Sequence, residues 1–530
     1  MIMKRYIRII ASMLLGGAIL GACNGTDYDF SVCEMKVDRD AIVDVAAQNP
    51  GQEAVVLTTT APYWMVQTPD WITPDATTGY GEQSIITFTI ASNFKNENTD
   101  MAARSGEIKI SGGMTSVIIT VNQLGYTAPV DPDASIGGIT DMDEFKDFVA
   151  AVNNGRSLSR WYNADGEVEL LTDIDLSDFT EWEPIGMPEK VTYGNNSLTY
   201  TGSAFKGKFN GGGHTISNFN LIAAVGKDAA VGFFGMLEGA TVKDLTINGK
   251  MSISATGAGS AGMLAGAMIS TTVENVKVNA DVEFKGTITS DRFATGGVVG
   301  FTYGTGDANS LIKDCVMTGN VNAVSGDGNT ANGATAAVYG GITGFSTTPA
   351  ESANVIANCE NNGKITASLG RCSGIVATAH AGTTISGCVN NADQINTFGD
   401  GRIGNIVSVI GTKGCIEDCI NNGNLTTTTA KTTTGAIAAL LNESHVVIKG
   451  GRNNGTIIGG NTSTIGLIAA NFSKFSSVSG FTVSGKIGYY KEDGNHEMQD
   501  LNEGTYMKFI GKITSANLAK VTDIKFEPAK

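Results

Sequence analysis

Eight cysteines are the first residues of this 530-residue chain whose chemistry demands an account. Four of them, Cys315, Cys359, Cys388 and Cys419, open a recurring phrase: "CVMTGNV", "CENNGKI", "CVNNADQI" and "CINNGNL", with "GRNNGTI" following from Gly451. Thiols at regular spacing could serve a zinc site or a disulfide framework. A structural zinc takes a compact tetrahedral set, typically built from CxxC pairs. These four cysteines lie 29 to 44 residues apart, the closer pair Cys415 and Cys419 has no matching partner, and the chain has four histidines. No metal and no cofactor are expected. Neighbouring rungs of a stack fall within the Cα range of a disulfide, but parallel side chains give it poor torsional geometry. Buried, reduced thiols are expected, with one bridge left open through Cys372 or Cys415.

The other reactive groups are sparse. No G-x-S-x-G, H-E-x-x-H or Walker-type phrase occurs. Asp244, Asp314 and Asp418 share one repeat position, each preceding a core residue, so they read as solvent-facing. Arg371 and Arg402 precede the glycine turn of successive repeats and could stack on one edge. With acids on adjacent coils they would suit a polysaccharide lyase, and two carboxylates at a defined separation would suit a glycosidase. His214, in "GGGHTI", reads as structural, and "GDGN" around Asp327 as a loop with a weak calcium-like pattern.

These residues must be placed by the scaffold, and composition narrows its class. The chain is rich in glycine, with 68, poor in proline, with 10, and only 17% charged. That is too apolar for a disordered chain, and the excess of Gly, Thr, Asn and Val suits turns and strands. The net charge is −16. Nucleic acid is excluded as a partner, because phosphate binding needs a basic footprint.

Lys4, Arg5 and Arg8 flank an apolar run from Ile9 to Leu20, too short to span a bilayer, and "LGAC" follows at 20–23. This resembles the lipobox of bacterial lipoproteins. The resemblance implies a signal peptide over 1–22, a palmitate-type lipid on Cys23, and a leader over 23–31 that tethers the chain to a membrane. Asp27 and Asp29 resemble export signals of surface lipoproteins, which implies the outer membrane of a Gram-negative bacterium, facing outward.

Residues 32–126 alternate in short period-two runs such as "EAVVLTTT", "SIITFTIAS", "GEIKIS" and "SVIITVNQLG", the pattern of an antiparallel β-sandwich. "PYWMV" around Trp64, "PDWI" around Trp71, "FTIASN", "ARSGEIKI" and "ITVNQLG" resemble the BACON module, an immunoglobulin-like domain of bacterial surface glycan proteins. Such modules bind carbohydrate or act as spacers, so Trp64 and Trp71 are either sugar-stacking faces or core residues. "TAPVDPDAS", 127–135, reads as a linker.

From Gly232 a second phrase recurs, with first glycines at Gly232, Gly262, Gly297, Gly341, Gly374, Gly404, Gly435 and Gly466. Eight self-similar units with three short apolar strands each, and no amphipathic helix, mean a parallel β-helix, right-handed by the usual rule for parallel crossovers. "GGVVGF … IKDCVMTGNV", 296–321, resembles the GLUG repeat of adhesin-like surface proteins. The solenoid is expected over 232–490, with a capping helix and first coils over 136–231 and a C-terminal cap over 491–530. Its helix is drawn from "TDMDEFKDFVAAVNNG".

Alignment of the units puts Leu245, Val276, Cys315, Cys359, Cys388, Cys419, Gly451 and Phe481 at one position. The constraint there is apolar filling, and the cysteines become an internal ladder. Asn361, Asn390, Asn421 and Asn453, each with a second Asn after it, read as a turn-borne amide ladder in which left-handed backbone is tolerated.

The fold class expected is all-β, an immunoglobulin-like sandwich followed by a right-handed parallel β-helix. The function expected is a non-enzymatic surface lipoprotein that binds glycan or host glycoprotein in an adhesin-like role, through Trp64, Trp71 and the loop at Asp327. The alternatives are a lyase or glycoside hydrolase on the β-helix, and a purely structural surface component.

Overall fold

A computed structural model describes residues 33–528 apart from 96–100, 127–135, 180, 287–291, 326–336, 350–352, 400, 430–431, 461–464, 492, 494 and 515–517. Cys23 and the lipid leader, the 127–135 linker and Asp327 therefore lie outside the described residues. Two compact units divide the chain, 1–128 and 129–530.

The first unit is a β-sandwich. One sheet orders Met35–Val37, Gln52–Thr59, Gln83–Ile90 and Ile72–Pro74; the other orders Ala41–Val45, Thr115–Gln123, Arg104–Gly112, Trp64–Gln67 and Thr78–Gly79. Strict alternation drives it. In Gln83–Ile90, Ile86 and Phe88 are fully buried while Ile85 faces water. Facing them, Ile108, Ile110, Ile119 and Val121 are equally buried, each contributing about 1.5–3 kcal/mol by leaving water.

The second unit is a parallel β-solenoid of eight coils. A 27-stranded sheet runs along it, with two 8-stranded sheets completing the coils. The expected three strands per unit become five in the later coils: Asn354–Ala357, Glu360–Asn361 and Ile365–Ser368 on the long sheet, then Arg371–Ser373 and Val376–Ala379 on the shorter two. The earlier coils keep the long-sheet side as one uninterrupted strand, as in Thr241–Ala255 and Thr272–Gly286.

Register corrects the glycine phrase by one residue in three coils. Parallel pairing stacks Gly232, Gly262, Gly296, Gly340, Ser373, Gly404, Gly435 and Gly466. Gly297, Gly341 and Gly374 fall one place later, where coil one has Phe233 and coil two Met263. Their role is spatial. A Cβ on Gly374 would sit 2.1 Å from Asn390 Oδ1, and one on Gly341 2.9 Å from the Asn361 amide carbon.

The left-handed turn is corrected too. At the turn that leads into the cysteine position, φ is positive at Asp244 (54°), Asn275 (52°), Asp314 (54°), Asn358 (52°) and Asp418 (51°), with Gly387, Gly450 and Gly480 in the remaining coils. All lie immediately before the cysteine position, so the twin asparagines after it are free to be extended. Asx and Gly tolerate this backbone where other side chains clash.

The ends are closed. Asp141 caps the helix Met142–Asn153, its Oδ1 accepting from the N–H groups of Asp143 (3.0 Å) and Glu144 (2.9 Å). Phe145, Phe148, Ala151 and Val152 face inward. They meet Trp161 and Trp182, and the Trp182 ring stacks on Phe233 at 5.3 Å. At the other end Lys520–Thr522 and Lys525–Phe526 add to the stack in parallel, while His496–Met498 folds back antiparallel on Ile487–Tyr490.

Candidate functional site

The cysteines stack in one internal column. Leu245 pairs with Val276, and the flanking registers continue through Cys315, Cys359, Cys388, Cys419 and Gly451 to Phe481. All four thiols are at most 1% exposed, and none of them is in a disulfide. Each donates weakly to a carbonyl, as Cys388 does to Ile356 O at 3.5 Å. Burial pushes the Cys359 and Cys372 thiols well above the ordinary range. Such thiols are poor nucleophiles and poor ligands.

The asparagine pairs split between inside and outside. Asn361, Asn390, Asn421 and Asn453 are buried, and each Nδ2 of the first three donates to the next Oδ1 at 3.0, 3.1 and 2.8 Å. Asn453 closes the upper end on Gly455, whose N–H donates to its Oδ1. At the lower end Asn361 Oδ1 is buried without a partner, because the coil below offers Met317. Asn362, Asn391, Asn422 and Asn454 form a second ladder on the exterior, with links of 2.8, 2.6 and 2.7 Å. Strand alternation sends adjacent residues to opposite faces, so one dipeptide builds both.

Of the acids expected to face solvent, Asp314 and Asp418 are exposed and Asp244 is half-buried, and two of the three accept from the next coil. Asn275 donates to Asp244 at 2.6 Å and Asn358 to Asp314 at 3.2 Å. His214 shares Asp173 with the Thr215 N–H, a contact that fastens a turn. Among the described residues, no group of three or more His, Cys, Asp or Glu is disposed to hold a metal ion.

In the sandwich, Trp64 is 3% exposed and its indole N–H donates to Ser84 Oγ at 3.2 Å. Gly79 has no Cβ because one would lie 2.2 Å from the Trp64 ring. Trp71 is half-buried with the Arg104 guanidinium 4.3 Å above its ring, and Arg104 is itself held by Gln123 Oε1 and Ala91 O. Trp64 is thus a core residue, while Trp71 stays half-buried with Arg104 across its ring.

The exposed aromatic pair lies beside them. Tyr80 is 80% exposed and Tyr63 42%, with ring centroids 6.4 Å apart, and Met65, 39% exposed, is on the same outward face as Tyr63. Antiparallel pairing of Trp64 with Gly79 puts the two tyrosines opposite each other at the next position. The alternation that sends Trp64 and Val66 inward sends Tyr63 and Met65 outward. The alternation in "PYWMV" carries that signal, with Tyr63 and Met65 on the face opposite Trp64.

Residues 63–124 match the family model BACON, described as "Putative binding domain, N-terminal". No curated protein matches the chain. Among solved structures, the chain is similar to a "putative immunoglobulin A1 protease" from Bacteroides ovatus, with 16% identity, a TM-score of 0.35, and coverage of 68% of this chain and 78% of that one. It is also similar to a Bacteroides ovatus GH5 xyloglucanase in complex with a XXXG heptasaccharide, with 13% identity, a TM-score of 0.15, and coverage of 35% and 36%. The alternating strands around Trp64 and Trp71 and the family match agree: the N-terminal sandwich is a BACON domain, carried in one chain with a parallel β-helix.

Proposed function

We propose that the chain is a non-enzymatic, surface-displayed lipoprotein whose BACON domain binds glycan, in an adhesin-like role toward polysaccharide or host glycoprotein. The observation that carries this reading is the exposed Tyr63–Tyr80 pair inside the stretch matched by the BACON model. Two amphipathic rings with hydroxyl edges in water offer the apolar faces and polar rims on which sugar rings stack. The solenoid supports the reading as a scaffold, since its repeated positions are accounted for by stacking, turn formation and lumen filling. Lipidation at Cys23 and outer-membrane display belong to the same proposal and rest on "LGAC" and the preceding apolar run.

Glycan-array binding by the full chain, followed by affinity electrophoresis on the hits, tests the site. Tyr63→Ala with Tyr80→Ala should weaken retention about tenfold or more while leaving the thermal midpoint unchanged. Retention unaffected by the pair would remove the site, and no binding by the wild type would leave a structural component. Cys23→Ala should move the chain from the membrane fraction to the soluble one. A screen for reducing-sugar release from acidic and neutral glycans checks the non-enzymatic part.

A further inference from the structure

Each coil bends between its two shorter sheets, and outward-facing residues of both, such as Ala294 and Phe301, form one apolar groove over the first coils. Over the first four coils a hairpin fills it, Pro188–Tyr193 paired with Leu198–Gly202. Val191 and Leu198 pack there on Met236, Phe301 and Phe345, and Tyr193 OH donates to Ala229 O at 2.7 Å. The hairpin tip ends against the fourth and fifth coils. Thr347 Oγ1 donates to Asn195 O at 2.8 Å, His380 Nδ1 meets Asn196 Oδ1 at 2.8 Å, and Arg292 donates to Asn195 Oδ1 at 3.0 Å. Arg292 also lies 4.1 Å over the Phe345 ring.

Beyond the tip the groove changes character. The outer column that holds Ala294 and Val338 under the hairpin continues in register as Arg371 and then Arg402. Adjacent parallel strands place these side chains about 4.8 Å apart at their bases. Arg371 has one neutral partner, Thr378 Oγ1 at 3.1 Å, and its Nε is buried without any. Arg402 is exposed. Among the described residues, no carboxylate lies within ion-pair distance of Arg292, Arg371 or Arg402.

Lys243, Lys313, Lys449 and Arg452 are matched to Glu167, Glu274, Glu417 and Glu527. Among the described residues, Arg371 and Arg402 stand in register on adjacent coils with no carboxylate beside them. Burial first, then Arg402 and Arg292, pushes the Arg371 guanidinium down to about 9. Glu443, which accepts from Thr412, is the acid whose field reaches His380. Val409 and Leu440 continue the groove floor past Thr378.

We propose that this open stretch of the groove binds the anionic group of an extended acidic saccharide, a carboxylate or a sulfate ester, between Arg371 and Arg402. Paired guanidinium forks match the planar oxygens of such groups, and the apolar floor accommodates the sugar faces. The inference rests on the glycan-binding reading but uses a different unit of the chain from the tyrosine pair.

Isothermal titration of the full chain with an oligogalacturonide, a sulfated chondroitin oligosaccharide and a neutral β-glucan fragment tests it. At least one acidic probe should bind about tenfold tighter than the neutral one and weaken with added salt. Arg371→Gln with Arg402→Gln should abolish that preference, and Arg452→Gln should leave it intact. The double variant should also lose the rise in thermal midpoint that sulfate gives over chloride at equal ionic strength, which separates lost binding from lost folding. Equal binding of acidic and neutral probes, or a double variant that behaves as wild type, overturns the anion site. Neutral-probe binding that survives the double variant but falls with the tyrosine pair leaves the BACON reading standing alone.

Discussion

The first and fifth coils of the solenoid occupy equivalent registers and fill their interiors in opposite ways. In coil one, Phe233 lies in the column that faces Ile247, and both are fully buried. In coil five, Gly374 and Asn390 hold those places, with the amide oxygen where a Cβ on the glycine would be. A large apolar residue on one side has become a glycine, and an apolar residue on the other has become an amide. What the lumen conserves is filled volume, and it admits polar groups only where successive coils satisfy one another.

The difference predicts different failures. Phe233→Ala should have the largest effect, because the ring sits among Trp182, Phe145, Phe219 and Phe234 at centroid distances of 5.2 to 6.0 Å. Loss of about 3–5 kcal/mol is expected, measured by urea unfolding of the full chain with limited proteolysis to follow the helix cap. A cost below about 1 kcal/mol would mean that the first coils are loosely packed.

Asn421→Ala should come next, at about 2–4 kcal/mol. It opens a cavity and removes both the acceptor for Asn390 Nδ2 and the donor to Asn453 Oδ1. A neutral result would show that the inner ladder contributes nothing, leaving the late coils to their backbone pairing alone.

How much of this was legible in the residues follows from what repetition records. The cysteine position could be read because Leu, Val, Cys and Phe alternate in one column at a fixed offset, and only an apolar environment accepts all of them. The glycine phrase slipped in three coils because "GG" and "SG" present two adjacent small residues, and only backbone pairing decides which of them stacks. The twin asparagines were placed at a turn because Asn favours left-handed backbone, yet that duty falls to the preceding Asp, Asn or Gly. Gln394 occupies the buried place of Ile365 and Leu425 while Ile395 lies outside it, an inversion that polarity alone would get wrong. Tyr63 and Tyr80 were invisible as a pair because their meeting depends on the Trp64–Gly79 bridge.

The cysteine column offers a smaller test. If it demands volume and not thiol chemistry, Cys388→Val should cost less than about 1.5 kcal/mol, since volume-conserving core changes are tolerated. Val276 already occupies the same column. A large loss, or appearance of a slow oxidation-dependent phase in the wild type, would point to a disulfide role. Alkylation of the native chain should reach Cys415, the half-exposed thiol of the solenoid, before Cys359, Cys372, Cys388 or Cys419.

The smallest effect is expected at the seam between the two kinds of coil. Asn361 begins the inner ladder, giving its amide N–H to Asn390 Oδ1 but leaving its own Oδ1 buried and unpaired. Replacement by Met removes one hydrogen bond and passes the orphaned acceptor from Asn361 to Asn390 Oδ1, so the number of orphans is unchanged and the net loss is that of a single hydrogen bond, about 1 kcal/mol. The coil below already shows the resulting packing, with Met317 facing Gly297 as Asn361 faces Gly341. Asn361→Met should therefore cost about 1 kcal/mol, while Asn421→Ala, in the same column two coils on, costs several times more. Equal losses at the two positions would mean that the ladder acts as one unit from its first rung. A gain at Asn361 would place the cost of polarity in the lumen at the point where the ladder starts.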